Sequence, residues 1–204
     1  MRTLDPVRHA EKRQEILDAA ARCIARDGFQ GTSTADICRE AGISPGHLYH
    51  YFASKEEILT ALTAAGLEKF AERFAEMMQS DDAIGALVAE IGRHKDKKRD
   101  PQRHAMSRMA LEMLVEAGRN PDIARIVRKN SAMLCALLVD FIQSGQLRGQ
   151  IDPGLDPNVA AAMILSVMDG MRTLMIRDPD ADIGSSLEML QTLIARFLSP
   201  PANR

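Results

Sequence analysis

The chain lacks tryptophan, and only 4% of its 204 residues are aromatic. Sheets depend heavily on aromatic and β-branched side chains, whereas helix packing can be built from Leu, Ile, Val, Ala and Met. With 46% apolar residues, 26% charged residues and 12 methionines, the composition is typical of a globular protein that packs helices. We therefore predict an all-α fold.

Cysteines and long apolar runs are also scarce. Cys23, Cys38 and Cys135 lie far apart with no C-x-x-C spacing, which favours reduced thiols in helices over a zinc site or a disulfide framework. No apolar run reaches the length of a membrane span, and the N-terminus MRTLDPVRHAEKR is too polar for a signal peptide. These absences predict a cytoplasmic protein with no membrane partner.

The overall charge gives no sign of a nucleic-acid-binding protein. The formal net charge is −2, and basic and acidic side chains are nearly equal in number within residues 1–60. Any binding to DNA must therefore depend on where individual charges lie and on two chains acting together.

One segment, residues 32–55, has the spacing of a helix-turn-helix. Ser33 and Asp36 match a capping box, which predicts a helix that continues to Ala41. Gly42 follows, and glycine can adopt the left-handed conformation that closes the last turn of a helix. The first helix of the motif is therefore predicted to end there.

A second short helix is predicted directly after the turn. Ser44 provides an N-cap and Pro45 occupies the first helical position, so the helix runs to about Phe52. Its inner face is formed by Leu48 and Phe52. Its outer face is unusual for a solvated helix but suits a helix in the major groove of DNA: Pro45, Gly46, His47, Tyr49 and His50.

The ordered string from Ala41 to Leu59, A-G-I-S-P-G-H-L-Y-H-Y-F-x-S-K-E-E-I-L, resembles the N-terminal domain of the TetR/AcrR repressors. With the preceding helix and its Gly28-Phe29 end, the resemblance covers roughly residues 10–62 and is architectural beyond them. It implies a homodimeric repressor, without a cofactor, that a small apolar effector releases from a double-stranded DNA operator. It also implies DNA contacts from Ser33, Thr34, Pro45, Gly46, His47, Tyr49, His50 and Lys55.

One departure from the family pattern bears on specificity. Many relatives have an arginine or another long polar residue where this chain has Ala35. A contact from the start of the first motif helix is therefore expected to be absent, and sequence preference should rest more on residues 45–50.

Helices are predicted on both sides of the motif. The first carries an apolar stripe that ends at Gly28, and its basic start (Arg8, Lys12 and Arg13) either approaches DNA or forms a solvated face. After the motif, Ser54 and Glu57 have capping-box spacing and open a long helix, from about residue 55 to 79. The first turn of this helix, together with Lys55, is a predicted binding site for a DNA phosphate.

We predict two domains, residues 1–55 for DNA binding and residues 56–204 for effector binding and dimerisation. Asp or Asn before Pro marks helix starts in the second. The predicted helices there span about 82–94, 101–117, 121–144, 157–177 and 182–198. The last two carry apolar stripes that either form a four-helix dimer interface or are buried within one chain: Val159, Met163, Ile164, Val167, Met171, Leu187, Leu190, Leu193, Ile194 and Phe197.

Methionines and charged residues at helical spacing are candidates for an effector site. Flexible thioethers suit a pocket that adapts to varied apolar ligands, although a methionine at such a position is more often ordinary core. A carboxylate turned inward needs a partner, which a cationic or hydrogen-bonding ligand would supply. The candidate residues are Met106, Met109, Glu112, Met113, Met133, Met168, Asp169 and Arg172.

Two other classes of function compete with a regulator. An interaction module would keep the helix-turn-helix without binding DNA. A small helical enzyme or metal protein has less support, because His94 and His104 lack the spacing of metal ligands on one helix face. No nucleophile elbow, phosphate loop or dinucleotide fingerprint occurs in the sequence. We therefore predict a regulator without catalytic residues or a metal site.

Overall fold

The structure, a computed structural model, describes residues 6–93, 101–178 and 181–201. Within these ranges the chain forms nine α-helices, which confirms the all-α prediction. The helices are α1 (Pro6–Gly31), α2 (Thr34–Ala41), α3 (Pro45–Tyr51), α4 (Lys55–Met78), α5 (Ala83–Gly92), α6 (Pro101–Ala117), α7 (Pro121–Leu147), α8 (Pro157–Arg177) and α9 (Ile183–Leu198).

The predicted helix bounds agree closely with the observed ones except at the ends of α1, which kinks at the predicted Gly28 but continues to Gly31, and of α7. The sequence placed that end at residue 144 because Gly145 follows, but the helix continues to Leu147. Gly145 allows the Ile151 side chain to pack closely against α7, since a Cβ atom at this position would lie 2.5 Å from Cδ1 of Ile151. The reversal falls at Gly149, whose φ is +69°.

The described residues divide into two compact units. The first is drawn from Met1–Gly66 and Asp100–Arg128, and so contains α1 to α3, the first half of α4, α6 and the start of α7. The second is drawn from Leu67–Arg99 and Lys129–Arg204, and contains the rest of α4 and α7 together with α5, α8 and α9. The unit that carries the helix-turn-helix therefore also includes α6, which is distant from the motif in sequence.

The core of the first unit consists of two clusters of buried side chains. One joins α1 to the motif and to α4: Ile16, Leu17, Ala20, Cys23, Ile37, Cys38, Leu48, Phe52 and Ile58. The other joins α1 to α4, α6 and α7: Ile24, Phe29, Leu59, Met109, Met113 and Ile123. Cys23 and Cys38 are free, and burial raises the pKa of both thiols.

The core of the second unit is formed by side chains of α4, α5, α7, α8 and α9. The rings of Phe74 and Phe141 meet edge to face at 5.8 Å. Beside this core, the buried Glu90 carboxylate of α5 accepts a hydrogen bond of 2.7 Å from Arg73 of α4. In the part of the chain that the structure describes, no helix is long and apolar enough to cross a membrane.

The apolar stripes of α8 and α9 are divided between the interior of the second unit and its surface. Ile164, Leu190 and Ile194 are at most 5% exposed and belong to the core. Other members of the stripes stay on the surface, together with Met189: Val159, Met163, Leu193 and Phe197. One part of the stripes is therefore buried within the chain, and the other part remains exposed in the single chain, so the dimer interface stays a prediction for that part.

Candidate nucleic-acid interface

The first helix of the motif, α2, begins at the predicted capping box. The Ser33 hydroxyl accepts a hydrogen bond of 3.2 Å from the Asp36 N–H, and the Asp36 carboxylate accepts one of 3.0 Å from the Ser33 N–H. Hydrogen bonds from the Ser33 side chain and backbone, with Arg39 at 2.9 Å, lower the pKa of Asp36 to about 2. The cap is therefore held by an ionised carboxylate at physiological pH.

The turn of the motif is closed by Gly42, as predicted. Its φ of +63° and ψ of +36° place it in the left-handed region, where a side chain would be strained. The N–H of Ile43 donates to the carbonyl of Cys38 at 3.0 Å, which satisfies the end of α2. Ile43 is partly buried and packs against the core of the motif.

The second helix of the motif, α3, turns its predicted outer face to solvent. The Ser44 hydroxyl accepts a hydrogen bond of 3.3 Å from the His47 N–H, and Pro45 occupies the first turn. Leu48 and Phe52 are each 1% exposed and fix the helix on the core. The structure thus brings together on one exposed face Pro45, Gly46, His47, Tyr49 and His50.

Of the predicted contacts on α2, Ser33 is exposed and Thr34 is half-buried. Helix α2 is tied to α1 by Glu40, which accepts a hydrogen bond of 2.7 Å from Arg22. That hydrogen bond lowers the pKa of Glu40. The side chains predicted to meet DNA from α2 therefore lie on a helix held at its start by a cap and near its end by an ion pair.

Lys55, at the start of α4, has partners within the first unit. Its Nζ atom donates to the backbone carbonyls of Phe29 at 2.9 Å and of Thr32 at 3.1 Å, and it lies 4.3 Å from the centroid of the Phe29 ring. Two of the three N–H donors of the ammonium are thus engaged, and one is left for another acceptor. Its phosphate contact stays a prediction, and the structure adds a role in holding the end of α1.

Three histidines gather around Tyr51, and sequence reasoning missed two members of this group. The ring centroid of Tyr51 lies 4.6 Å from that of His9, 5.2 Å from His50 and 5.5 Å from His47. His9 belongs to α1, so no local spacing could indicate that it lies beside α3. We call this group, His9, His47, His50 and Tyr51, the histidine patch.

Two basic side chains at the start of α1, Lys12 and Arg13, make contacts within the chain. Lys12 pairs with Glu15 at 2.7 Å, and the guanidinium carbon of Arg13 lies 4.8 Å from the centroid of the Phe52 ring. Arg13 therefore lies close to the C-terminal end of α3. The sequence could not distinguish this arrangement from a wholly solvated face.

The candidate effector residues fall into both units. Met109 and Met113 are buried in the first unit, each 5% exposed. In the second unit, Met133 is 46% exposed and Met168 packs against the core. The side chain of Met106 lies outside the described residues. A role for these methionines in effector binding stays a prediction.

Both candidate effector carboxylates have partners within their own unit. Glu112 of α6 accepts a hydrogen bond of 2.8 Å from the backbone N–H of Phe29, beside Gly28. Asp169 pairs with Arg172 one turn further along α8, and both side chains are about half exposed. Neither carboxylate therefore requires a ligand to satisfy it.

A capped α2, a left-handed glycine turn and a short α3 with an exposed polar and aromatic face define a helix-turn-helix DNA-binding protein. Residues 16–62 match the family of bacterial regulatory proteins of the tetR family, and residues 97–199 match the C-terminal domain of BetI-type transcriptional repressors. The chain belongs to the TetR family of transcriptional regulators. DNA operators, a second copy of the chain and small-molecule effectors are the partners of such proteins.

Similar proteins cover nearly the whole chain. The HTH-type transcriptional regulator UidR of Escherichia coli strain K12 is 24% identical over 92% of this chain and 93% of its own. The fatty acid metabolism regulator protein of Bacillus subtilis strain 168 is 28% identical over 88% of this chain and 93% of its own. The solved structure of Salmonella enterica GusR superposes with a TM-score of 0.74 at 26% identity, over 96% of this chain and 100% of that one.

Proposed function

We propose that the chain is a homodimeric repressor that lays α3 in the major groove of each half of a palindromic operator. The exposed outer face of α3 is the observation that carries this proposal. Residues 45–50 would read most of the base edges. Side-chain hydroxyls, backbone amides and the Lys55 ammonium would bind the DNA phosphate backbone. The proposed DNA contacts are Ser33, Thr34, Pro45, Gly46, His47, Tyr49, His50 and Lys55.

The proposed domains keep DNA binding within residues 1–55 and place effector binding and dimerisation in residues 56–204. Dimerisation is proposed through the surface stripes of α8 and α9. Met163, Leu193 and Phe197 are 53%, 50% and 37% exposed, and apolar side chains repeated on a helix surface favour burial against a partner. A second copy of the same two helices would form a four-helix interface.

The effector is proposed to be a small, largely apolar molecule that binds among the methionine-bearing helices. The proposed site lies in the second unit, where Met133 is half exposed, Met168 packs against the core, and Asp169 and Arg172 form an ion pair. An effector would release the operator by favouring a dimer in which the distance between the two α3 helices differs from the distance between the half-sites.

Effector action can be tested with apolar ligands, including fatty acyl compounds because one relative is named for fatty acid metabolism. A ligand that raises the melting temperature should weaken operator binding by roughly 5- to 150-fold, the range of a coupling of ~1–3 kcal/mol. Ligands that stabilise the protein and leave operator affinity unchanged would contradict the switch and leave DNA binding intact.

We propose that the chain acts by binding alone, in the cytoplasm, where a regulator meets the chromosome. Its relatives are transcriptional regulators. In the described ranges, no group of three or more His, Cys, Asp or Glu side chains is arranged to hold a metal ion. No specific observation on the described residues supports either competing class, the interaction module without DNA binding or the helical enzyme.

A gel shift with the DNA that flanks the gene for this chain tests the proposed function. We expect a complex that resists competitor DNA, with an affinity at least roughly 1,000-fold above that for scrambled DNA at physiological salt. Equal affinity for flanking and scrambled DNA would favour the interaction module, since an electrostatic contact alone carries no sequence information.

A further inference from the structure

The histidine patch concentrates titratable side chains on the proposed reading face. The chain has five histidines, and three of them lie around the Tyr51 ring. The rings of His9 and His50 are themselves 5.9 Å apart and nearly perpendicular. One of the three comes from α1 and two from α3, so the patch extends the face beyond the motif.

The charged groups of α1 near the patch are mainly cationic. Arg13 lies one helical turn beyond His9, and its guanidinium is held over the Phe52 ring. Lys12, on the same side, is paired with Glu15. Glu11 is two residues from His9 and therefore points to another side of the helix.

Most carboxylates of the other helices near the patch are bound to groups outside it. Helix α3 contains no acidic residue. Three acidic side chains of α2 and of the start of α4 have other partners: Asp36 with Ser33 and Arg39, Glu40 with Arg22, and Glu57 with the N–H of Ala53. Among the ion pairs of the described residues, none joins a carboxylate to any of the three imidazoles.

Protonation of the patch would make the reading face more positive. Histidine is the side chain that ordinarily gains or loses its charge between about pH 5 and 8. Each protonated ring adds one positive charge to a chain whose formal net charge is −2 with neutral histidines. Protonated rings about 6 Å apart repel one another, and DNA phosphates offset that repulsion.

We propose that operator DNA and protons bind together at the histidine patch, so that His9, His47 and His50 take up protons from solution when the complex forms. This inference rests on the proposed function and adds a regulation of the same site. By linkage, a complex that holds more protons than its free components becomes tighter as the pH falls. His9 is thereby a further DNA-binding residue, which acts through its charge.

The test measures operator affinity by fluorescence anisotropy at constant ionic strength between about pH 7.5 and about pH 6.0, the range in which histidine titrates. For uptake of one to two protons per dimer, the Kd of the wild-type complex should fall roughly tenfold or more across this range. In His9→Gln/His50→Gln the fall should shrink to less than about threefold.

Calorimetric titration of the wild-type protein in buffers of different ionisation enthalpy counts the protons directly and needs no variant. Net uptake at pH 7 supports the inference, and none overturns it. A flat pH profile for the wild type, or an unchanged one in the double variant when its thermal melt shows a folded protein, overturns it as well. Failure to bind DNA at any pH would instead overturn the proposed function, and the inference with it.

Discussion

The Glu112 carboxylate accepts a hydrogen bond of 2.8 Å from the backbone N–H of Phe29, a residue 83 positions earlier in the chain. This N–H follows the kink at Gly28, where α1 departs from helical geometry and leaves backbone groups without helical partners. Lys55 satisfies two carbonyls on the same stretch. One side chain from α6 and one from α4 therefore fix the segment that leads from α1 into the DNA-reading motif.

Replacing Glu112 with alanine should destabilise the protein by about 1–3 kcal/mol, because the partly buried Phe29 N–H loses its charged acceptor. Urea unfolding of the variant and the wild type measures this difference. Glu15→Ala removes an exposed carboxylate paired with Lys12 and should cost less than about 1 kcal/mol. Equal losses in the two variants would show that the hydrogen bond across α1 and α6 contributes nothing specific.

Gly28→Ala should also destabilise the protein, by about 1–3 kcal/mol or more. The φ of +76° and ψ of +168° at Gly28 lie in a region nearly restricted to glycine, and a Cβ atom would come within 2.7 Å of Glu112 Oε1. Gly66→Ala is the matched control, because Gly66 lies within helix α4 in open space. That substitution should leave stability unchanged or raise it by roughly 0.5–1 kcal/mol.

Asp36 should make the stability of the fold depend on pH in acid. Its pKa falls on folding from an ordinary value of 3.8 to about 2, so the stabilisation is complete above about pH 4 and is lost as the pH falls towards 2. Urea unfolding midpoints measured from pH 5 downwards should decline less steeply in Asp36→Asn than in the wild type. Parallel declines in both proteins would mean that other carboxylates account for the acid sensitivity.

A charged residue on the surface of α9 should prevent dimerisation without unfolding the chain. In Leu193→Lys, a cation replaces a side chain that is 50% exposed in the single chain and proposed to be buried between two chains. Light scattering should give the mass of one chain, with an unchanged circular dichroism spectrum and much weaker operator binding. Leu147→Lys alters a side chain that is 90% exposed at the end of α7 and should stay dimeric.

His47 and Lys55 should differ in how they affect DNA binding. His47→Ala should cost ~1–3 kcal/mol on the operator and relax the preference at one position of each half-site. Lys55→Ala should weaken binding to all sequences alike and, because Phe29 and Thr32 lose a donor, should also lower the melting temperature. Binding curves on operator and scrambled DNA at several salt concentrations separate the two effects. A change of preference in Lys55→Ala would contradict this assignment.

The local elements could be predicted because their determinants lie close together in sequence. Ser33 and Asp36 form the predicted capping box, Gly42 closes the turn, and Leu48 with Phe52 forms the buried side of α3. The residues that determine the cap, the turn and the buried side lie within a few positions of one another. Over so short a distance, helix geometry fixes which side chains meet.

Contacts between distant segments could not be predicted. The meeting of Glu112 with Phe29, the approach of His9 to Tyr51 and the inward turn of Lys55 all join residues at least 23 positions apart. Helical periodicity shows that a residue lies on a given face, but not which helix covers that face. For the same reason the stripes of α8 and α9 could not be divided into core and surface before α5 and α7 were placed against them.

Selection of bound DNA from a random pool by the purified protein tests sequence-specific operator binding most directly. A dimer that places α3 in the major groove of each half-site should enrich one inverted repeat, with half-site centres about 10 to 10.5 base pairs apart or a multiple of that spacing. The half-site should lose preference at one position when the selection is repeated with His47→Ala. Recovery of DNA with no shared sequence, at an affinity equal to that of the starting pool, would contradict sequence-specific operator binding.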